Sequence, residues 1–323
     1  MLALKCAVVD VTRVAQHHGP EQQMSNQQIE TAVVVGAGTM GHGIAQVLAA
    51  SGIATTLVDL DAAVVAAGLA KIIANLDSGV AKGKLSAADK AATLARLSTS
   101  TSTAATLPTA QLLVEAIPER IALKRALFQE ADALMPAGAI LASNTSSLSI
   151  VEIAAATKRP EAVVGLHFFN PVHIMKLLEI VKGPLTSSST LERSLALAAA
   201  LNKTAIVVND APGFATSRLG ICLGNEAMRM LEEGVASASD IDAAMKLGYG
   251  HPMGPLALSD LVGLDVRLNI SEGLFAELGT DGFRPPRIMK RLVQLGHTGK
   301  KSGRGFYLWQ DGAIVGENPA ARR

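Results

Sequence analysis

The 323-residue chain has only two cysteines, Cys6 and Cys222, and neither has a second cysteine near it in the sequence. Disulfide frameworks, cysteine zinc sites and redox pairs all require paired cysteines, so the sequence argues against each of them, and no metal site is expected. Because structural disulfides belong to oxidising compartments, the composition favours a reducing cytoplasm.

The chain also has little excess charge. It carries 29 Lys plus Arg residues against 28 Asp plus Glu, which gives a formal net charge of +1. A nearly neutral protein has no broad positive field, so neither nucleic acid nor a membrane is expected as a partner, and an anionic ligand must be held by local contacts. Runs of about 18 apolar residues, the length that a membrane span requires, are missing as well.

Aromatic residues make up only 3% of the chain, yet 49% of it is apolar, which suits a compact protein of about two domains. The N-terminus is different. Residues 1–29 begin with an apolar stretch that Lys5 and Asp10 interrupt, and they continue with a Gln-rich polar stretch. We therefore predict a disordered extension outside the fold, and Met24 could serve as the start of translation.

From Thr31 onward, short β-branched runs alternate with Ala/Leu-rich segments at helical spacing, a pattern typical of βαβ units. Residues 30–210 are therefore predicted to form an α/β domain with a mostly parallel sheet. The predicted strands are Thr31–Val35, Ile53–Asp59, Leu112–Glu115, Ile140–Ser143, Val163–His167, Leu177–Val181 and Ala205–Val208. Helices are expected between them, including Asp61–Ala81 and Leu191–Leu201.

Strand signals end at a Pro/Gly joint, Asp210–Gly213, and helical periodicity follows to about Leu295. We predict that residues 211–323 form an all-α C-terminal domain. Its first helix has two opposite apolar faces, with Ile221 on one and Leu219 on the other. One face can pack inside the domain. The other either forms a subunit or domain interface, or belongs to a helix at the centre of its own domain.

A glycine pattern follows the first predicted strand. Gly36, Gly38 and Gly41 form G-x-G-x-x-G between consecutive valines and a helix, the context in which this pattern binds dinucleotides. The first glycine permits a tight turn, the second lets the backbone approach a pyrophosphate, and the third allows close packing of helix on strand. The helix N-terminus offers N–H donors to the phosphates, so a Rossmann-type domain is predicted.

Asp59 stands at the end of the second predicted strand, 23 residues after Gly36. A carboxylate at this position accepts hydrogen bonds from the adenosine ribose, and neither Leu60 nor Asp61 offers a cation for a 2′-phosphate. The sequence therefore predicts NAD rather than NADP. The alternative interpretation is a glycine turn with a capping aspartate and no ligand.

A second candidate site surrounds His167. This residue ends a predicted strand, an Asn-Pro dipeptide then forces a bend, and another strand follows. If the two strands form a hairpin centred near His173, His167 faces Glu179. A carboxylate beside an imidazole fixes the tautomer of the ring and raises its basicity. Such an imidazole is suited to take a proton from an alcohol.

The motifs of the chain, taken together, resemble those of a known family. From about Thr31 to Trp309 the chain resembles the L-3-hydroxyacyl-CoA dehydrogenases, including bacterial 3-hydroxybutyryl-CoA dehydrogenases. The resemblance rests on the order of Gly36–Gly41, Glu115–Glu119, Ser143–Leu148, His167–Pro171, Pro212–Phe214, Gly250–Pro255 and Gly299–Gly303.

The resemblance implies reversible, NAD-dependent oxidation of an (S)-3-hydroxyacyl-CoA, with a short ester such as 3-hydroxybutyryl-CoA as substrate, to the 3-oxoacyl-CoA. Such a reaction belongs to fatty acid β-oxidation. The resemblance also implies a homodimer formed through the helical domain. His167 is implied to be the base that removes the 3-hydroxyl proton while hydride leaves for the nicotinamide, and Glu179 its orienting carboxylate.

Further site residues follow from the resemblance. Ser146 is implied to contact both substrate and nicotinamide, although a serine there also suits a helix cap. Asn75 and Lys82 are implied to bind CoA, whereas the alternative for Lys82 is a solvated surface. Implied cofactor contacts are Thr39, Met40, Glu119, Lys124, Asn170 and Lys301.

One position departs from the family pattern. Three residues after Phe214, where the family usually has an Asn that polarises the substrate carbonyl, this chain has Ser217. A hydroxyl donates a hydrogen bond but reaches less far than an amide, so the substrate pose differs or a water intervenes. Ser217 is therefore a candidate catalytic residue. Two alternatives stay open: an NAD-dependent dehydrogenase of a CoA-free hydroxy acid of gulonate or carnitine type, and a non-catalytic NAD-binding or structural protein.

Overall fold

The computed structural model describes residues 28–321. The predicted N-terminal extension lies outside the described residues except for Gln28 and Ile29. Ile29 is buried in the same core cluster as Ala32, and the backbone N–H of Glu30 donates to the Gln111 side chain at 2.7 Å. The prediction that residue 29 lies outside the fold is therefore wrong, because its side chain completes the core at the start of the first strand.

Ten strands are present in residues 28–321. They are β1 (Thr31–Val35), β2 (Ala54–Val58), β3 (Leu97–Ser100), β4 (Leu112–Glu115), β5 (Ile140–Ser143), β6 (Val163–Phe168), β7 (Leu177–Lys182), β8 (Thr204–Asn209), β9 (Tyr307–Gln310) and β10 (Ala313–Glu317). The first eight form one sheet in the order β3-β2-β1-β4-β5-β6-β7-β8, and the last two form a separate hairpin.

The large sheet is mostly parallel, which confirms the prediction. Its neighbouring strands pair in parallel except β6 and β7, which are antiparallel. A parallel pair needs a connection long enough for a crossover, whereas residues 169–176 between β6 and β7 suffice only for a reversal. The strand order reverses between β1 and β4, and open α/β sheets bind their ligands at such a point.

Twelve α-helices lie in the same range. They are α1 (Gly41–Ala50), α2 (Ala62–Ala81), α3 (Ala87–Ala95), α4 (Thr103–Thr106), α5 (Ile121–Leu134), α6 (Ile150–Ala154), α7 (Ser188–Ala200), α8 (Thr216–Glu233), α9 (Ala238–Gly248), α10 (Pro255–Val262), α11 (Leu264–Leu278) and α12 (Arg287–Gln294). The first seven connect the strands of the sheet, and the last five form the helical part of the C-terminal domain.

Two apolar layers cover the two faces of the sheet. Val34 of β1 packs with Leu57 and the α1 residue Ile44 on one face, while Val33 packs with Leu113 and Phe128 on the other. Successive residues of a strand point to opposite faces, so a strand buried on both sides reads as a continuous apolar run.

Among residues 28–321, α2 is the one helix that could cross a membrane by length and composition alone. In this fold, several apolar residues of α2 pack against the sheet domain instead. Asp61 caps its N-terminus by accepting from the N–H of Ala63 at 2.7 Å, and Val65 and Ile72 are buried in the core of the sheet domain. We therefore assign α2 to the crossover between β2 and β3.

Two elements were missed by the sequence analysis. β3 reads Leu-Ser-Thr-Ser, and a polar strand is tolerated there because it lies at the sheet edge and pairs only with β2. The C-terminal domain is mainly helical, as predicted, but it also contains the β9–β10 hairpin and is therefore not all-α. Asp311 and Gly312 make its turn with positive φ angles of 49° and 82°. An Asp-Gly pair is a strong hairpin signal that the sequence carried.

Asp260 in α10 fixes the chain that leads into β9. Its fully buried carboxylate accepts from the backbone N–H groups of Phe306 at 2.8 Å and Tyr307 at 2.9 Å, and from Nε1 of Trp309 at 2.9 Å. The C-terminal segment is thereby held against α10, close to the start of α11.

Replacing Asp260 with Ala leaves these three donors without an acceptor, and we expect the free energy of unfolding to fall by about 2–4 kcal/mol. Trp309 is the single tryptophan of the chain, so its emission should also shift to longer wavelength. Denaturant unfolding followed by tryptophan fluorescence measures both effects. Asp77→Ala, which removes a surface carboxylate paired with Lys90, is the control. An unchanged midpoint and emission in Asp260→Ala would contradict the assignment.

Candidate active site

A cavity of about 1180 Å³ lies between the sheet and α11. On the sheet side it is lined by residues at the carboxyl ends of β1, β4, β5 and β6, and on the other side by Val266, Asn269, Ile270 and Gly273 of α11. The carboxyl edge of a parallel sheet is where this architecture places ligands. Within residues 28–321, no group of three or more His, Cys, Asp or Glu side chains is placed to hold a metal ion.

The glycine turn forms one wall of the cavity. Gly36 has a φ of +102°, and a Cβ there would lie 2.4 Å from the carbonyl oxygen of Ala116. A Cβ on Gly41 would lie 1.6 Å from the carbonyl oxygen of Gly36, so this glycine is required by the turn itself rather than by packing on a strand. A Cβ on Gly38 would have no protein atom within 4 Å. Gly38 therefore leaves open space for a ligand.

Asp59 directly follows β2 and lines the same cavity. Its Oδ2 accepts from the N–H of Ala37 at 2.9 Å, which fixes the carboxylate to the glycine turn. Its Oδ1 has a long contact of 3.4 Å with the N–H of Asp61 and can accept further hydrogen bonds. This arrangement suits a pair of ribose hydroxyls.

His167 lies in β6 directly opposite Glu179 in β7, which is the pairing expected from the hairpin. Nδ1 of His167 is 2.6 Å from Oε2 of Glu179. Glu179 is fully buried, and His167 is buried but lines the cavity. The rings of Phe169 and Phe214 lie 4.4 Å and 6.1 Å from the imidazole, measured between ring centroids. The imidazole thus lies beside two aromatic rings and has access to the cavity.

The first turn of α8 supplies further donors to Glu179. Its Oε1 accepts from the N–H of Thr216 at 2.9 Å and of Ala215 at 3.3 Å, and its Oε2 accepts from the Thr216 hydroxyl at 2.8 Å. Burial raises the pKa of Glu179, but the hydrogen bonds from His167 and Thr216 lower it by more, so the pKa lies below its ordinary value. An ionised carboxylate can only accept, which places a proton on Nδ1 of His167 and leaves Nε2 as a proton acceptor.

Sequence reasoning missed Thr216. A threonine at the start of a helix is readily interpreted as a cap, and Thr216 is 37 positions away from Glu179 in the chain. Asn144 was also not predicted as a site residue. Its Oδ1 accepts from the N–H of Phe168 at 2.9 Å, next to His167, and it lines the cavity. Its place directly after β5 is the signal that could have identified it.

Glu119 and Ser146 lie together on the cavity wall. Oε1 of Glu119 accepts from the N–H of Ser146 at 3.1 Å, lies 3.5 Å from its hydroxyl, and also accepts from the hydroxyl of Thr145. The carboxylate therefore fixes the backbone that presents the Ser146 hydroxyl to the cavity.

Lys124 borders the cavity, but its side chain is only 1% exposed. Its ammonium lies 2.6 Å from Oε1 of Glu115 and 3.1 Å from Oε2 of Glu119. The ammonium is therefore already paired with two carboxylates. A direct contact with cofactor, as the resemblance implies, stays a prediction.

The two residues implied to bind CoA lie in α2 and directly after it, and neither lines the cavity. Lys82 is exposed at the C-terminal end of this helix. Asn75 is half-buried, and its Nδ2 donates to Oε1 of Gln46 at 3.1 Å. A CoA role for either residue requires a ligand that extends beyond the cavity.

Three other predicted residues do not line the cavity either. Lys301 forms an ion pair with Asp265 at the start of α11, with 2.6 Å between Nζ and Oδ2. Asn170 is exposed in the connection after β6. Ser217 is half-buried in the first turn of α8, next to Thr216. Their roles stay predictions.

Comparison with known proteins decides the family. The sequence-family model for the NAD binding domain of 3-hydroxyacyl-CoA dehydrogenase matches residues 31–211. The family model for the C-terminal domain of the same enzyme matches residues 213–309. The chain belongs to the 3-hydroxyacyl-CoA dehydrogenase family. The predicted family, Rossmann-type fold, NAD cofactor and oxidoreductase class are confirmed.

Similar proteins extend over most of the chain. A 3-hydroxybutyryl-CoA dehydrogenase of Clostridioides difficile is 43% identical over 274 residues, which cover 85% of this chain and 97% of the relative. A mitochondrial hydroxyacyl-coenzyme A dehydrogenase of Rattus norvegicus is 44% identical over 290 residues, which cover 87% and 92%. The crystal structure of the (S)-3-hydroxybutyryl-CoA dehydrogenase of Ralstonia eutropha is 42% identical, with a TM-score of 0.84 over 88% of this chain and all of that one.

The residues of the cavity fit NAD. The open space beside Gly38 leaves room for a pyrophosphate at the N-terminus of α1, where free N–H groups and partial positive charge favour an anion. Oδ1 of Asp59 can accept hydrogen bonds from the ribose hydroxyls, and the neighbouring Leu60 offers no cation for a 2′-phosphate.

Gly38→Ala places a methyl group in this open space without a protein clash, so we expect unchanged stability. The NADH dissociation constant should rise at least about tenfold, because the methyl occupies the place of the pyrophosphate. Fluorescence titration with NADH measures the effect. Gly138→Ala is the matched control, since a Cβ there also meets nothing within 4 Å and the site lies outside the cavity lining. Equal NADH affinity in Gly38→Ala and wild type would reject the pyrophosphate position.

Proposed function

We propose that the protein oxidises (S)-3-hydroxyacyl-CoA to 3-oxoacyl-CoA with NAD, and catalyses the reverse reaction when NADH is abundant. A short ester such as 3-hydroxybutyryl-CoA is the proposed substrate. The observation that carries the proposal is the buried His167–Glu179 pair, whose imidazole lines the same cavity as the glycine turn and Asp59. The names of the relatives support the substrate class.

His167 is the proposed base. With its proton on Nδ1, its Nε2 can take the proton of the 3-hydroxyl group. Bound NAD would accept the hydride that leaves C3 of the substrate, so that loss of this hydride and of the hydroxyl proton converts the alcohol to a ketone. Glu179 stays ionised and stabilises the imidazolium that His167 becomes. The rings of Phe169 and Phe214 lie beside the imidazole, and an apolar neighbourhood strengthens the attraction between the two charges.

Ser146 and Ser217 are the proposed hydrogen-bond donors to the substrate. Ser146 lies on the cavity wall with its backbone fixed by Glu119, and its hydroxyl would contact both substrate and nicotinamide. Ser217 directly follows Thr216, which itself holds Glu179, and would donate to the thioester carbonyl directly or through a water. Asn170 and Lys301 are proposed to contact the cofactor, and Asn75 and Lys82 the CoA part of the substrate.

We further propose a homodimer formed through the helical domain, which we take to begin at residue 211. The outer surfaces of α8 and α10 expose large apolar side chains, with Leu219 72% exposed and Leu261 and Val262 also exposed. Apolar surfaces of this kind support an interface. A cytoplasmic location is also proposed, supported by the free thiol of Cys222.

His167→Ala should lower kcat for acetoacetyl-CoA reduction by about 10²–10⁴-fold. In this direction the protonated imidazole would donate the proton to the ketone oxygen, and the variant has no group to replace it. NADH affinity should stay within about twofold of wild type, since the glycine turn and Asp59 are untouched. The control is His173→Ala, because this exposed histidine lies in the connection that follows β6 and does not line the cavity. Near-wild-type turnover in His167→Ala would remove it from the base role.

An NADH-linked assay across acetoacetyl-CoA, longer 3-oxoacyl-CoA esters and free hydroxy acids tests the proposed function. Lys82→Ala should raise KM for acetoacetyl-CoA by roughly three- to tenfold and leave kcat unchanged, because it removes a ligand cation and no reacting group. Lys84→Ala, two positions further along the same exposed segment, should leave KM unchanged. Ser217 makes the CoA-free alternative worth testing: turnover of a free hydroxy acid, with indifference to Lys82→Ala, would favour it.

A non-catalytic NAD-binding or structural role is the remaining alternative. The intact His167–Glu179 pair argues against it, because an imidazole that lines the cavity and is held by a buried carboxylate has no evident purpose in a passive scaffold. Background turnover with every ester and acid, together with normal NADH binding, would favour that role.

A further inference from the structure

Three charged side chains form a row that runs from the protein interior to the cavity. Glu115 at the end of β4 is fully buried, Lys124 of α5 is 1% exposed, and Glu119 lies on the cavity wall with 39% of its side chain exposed. Lys124 contacts both carboxylates. Two carboxylates and one ammonium leave one net negative charge in the row when all three groups are ionised.

The buried end of the row is built for an ionised carboxylate. Besides Lys124, Glu115 accepts from the N–H of Ile117 at 2.8 Å and from the hydroxyl of Ser143 at 2.6 Å. Every one of these partners is a donor. Burial raises the pKa of Glu115 above its ordinary value, and the contacts with Lys124, Ser143 and Ile117 offset only part of that rise, so the case for a carboxylate here rests on its donors. A buried ion pair contributes little net stability after its desolvation cost, so its presence beside a cavity calls for a functional reason.

At the exposed end, both oxygens of Glu119 are held. Oε1 accepts from the hydroxyl of Thr145 and the N–H of Ser146, and Oε2 faces the Lys124 ammonium at 3.1 Å. The carboxylate therefore cannot turn away from the wall that it shares with Ser146. Lys124 in turn is held in place by Glu115.

We propose that Glu115 is a positioning residue of the cofactor site: it anchors Lys124, which fixes Glu119, and the row presents one net negative charge that stabilises bound NAD⁺ relative to NADH. The nicotinamide ring carries a positive charge only when it is oxidised, so a fixed charge near it acts differently on the two forms. This inference rests on the proposed function, because it takes the cavity as the nicotinamide site. The proposed charge row also explains why Lys124 is buried between two carboxylates.

The test compares the dissociation constants of NAD⁺ and NADH by calorimetry, which requires no turnover. Glu115→Gln keeps the shape of the side chain but makes the row neutral. We expect NAD⁺ to bind roughly three- to tenfold more weakly and NADH to change by less than about twofold. Glu115→Asp keeps the charge and is the matched control. In this variant we expect the ratio of the NAD⁺ and NADH dissociation constants to stay within about twofold of the wild-type ratio.

A double variant separates charge from structure. Glu115→Gln combined with Lys124→Met restores one net negative charge but leaves only Oε1 of Glu119 held, so the ratio should return part of the way to the wild-type value. A merely structural role would make the double variant worse than the single one for both nucleotides. Melting temperatures of all variants show whether each one folds.

If Glu115→Gln does not fold, Glu119→Gln takes its place, because it also makes the row neutral and changes a partly exposed residue. An unchanged ratio in the folded neutral variant, or equal losses of NAD⁺ and NADH affinity throughout, would overturn the proposal. The two proposals can fail separately. A wild-type protein that turns over no hydroxyacyl-CoA rejects the proposed function, whereas an unchanged ratio rejects the charge row and leaves turnover in place.

Discussion

The carboxylate of Glu179 joins three parts of the molecule at one buried point. It belongs to β7, it holds His167 of β6, and it accepts hydrogen bonds from Ala215 and Thr216 at the start of the helical domain. A buried carboxylate is costly unless donors surround it, so the strand pairing and the entry into α8 must both be in place before this charge is stable. The carboxylate that holds the His167 imidazole is therefore itself held by contacts from both domains.

The parts of the fold that could be predicted from sequence are those that depend on local patterns. β1, β4 and β5 have the bounds that the sequence predicted, because strands buried on both faces read as continuous apolar runs. The glycine turn and Asp59 belong to one βαβ unit whose spacing is fixed by its geometry. The pairing of His167 with Glu179 followed from a short connection, which leaves few alternative registers.

What could not be predicted depends on contacts between distant segments or on context. The donors that Thr216 gives to Glu179 come from the other domain, and the burial of Lys124 between Glu115 and Glu119 appears only when α5 packs on the end of β4. β3 has too few apolar residues to be recognised, since an edge strand with one neighbour needs fewer of them. The β9–β10 hairpin was different, because its Asp-Gly turn is visible in the sequence.

The contacts that Ala215 and Thr216 make with Glu179 also determine where this chain can be divided when domains are exchanged between proteins. The sequence changes character at the Pro/Gly joint, yet residues just beyond it complete the environment of a side chain in the sheet. In a chimera that exchanges the helical domain at the joint, the residue that donates to Glu179 would come from the new domain along with its helices. A crossover placed after Thr216 therefore keeps these donors together with the strand that carries Glu179, so this structural unit extends past the visible boundary.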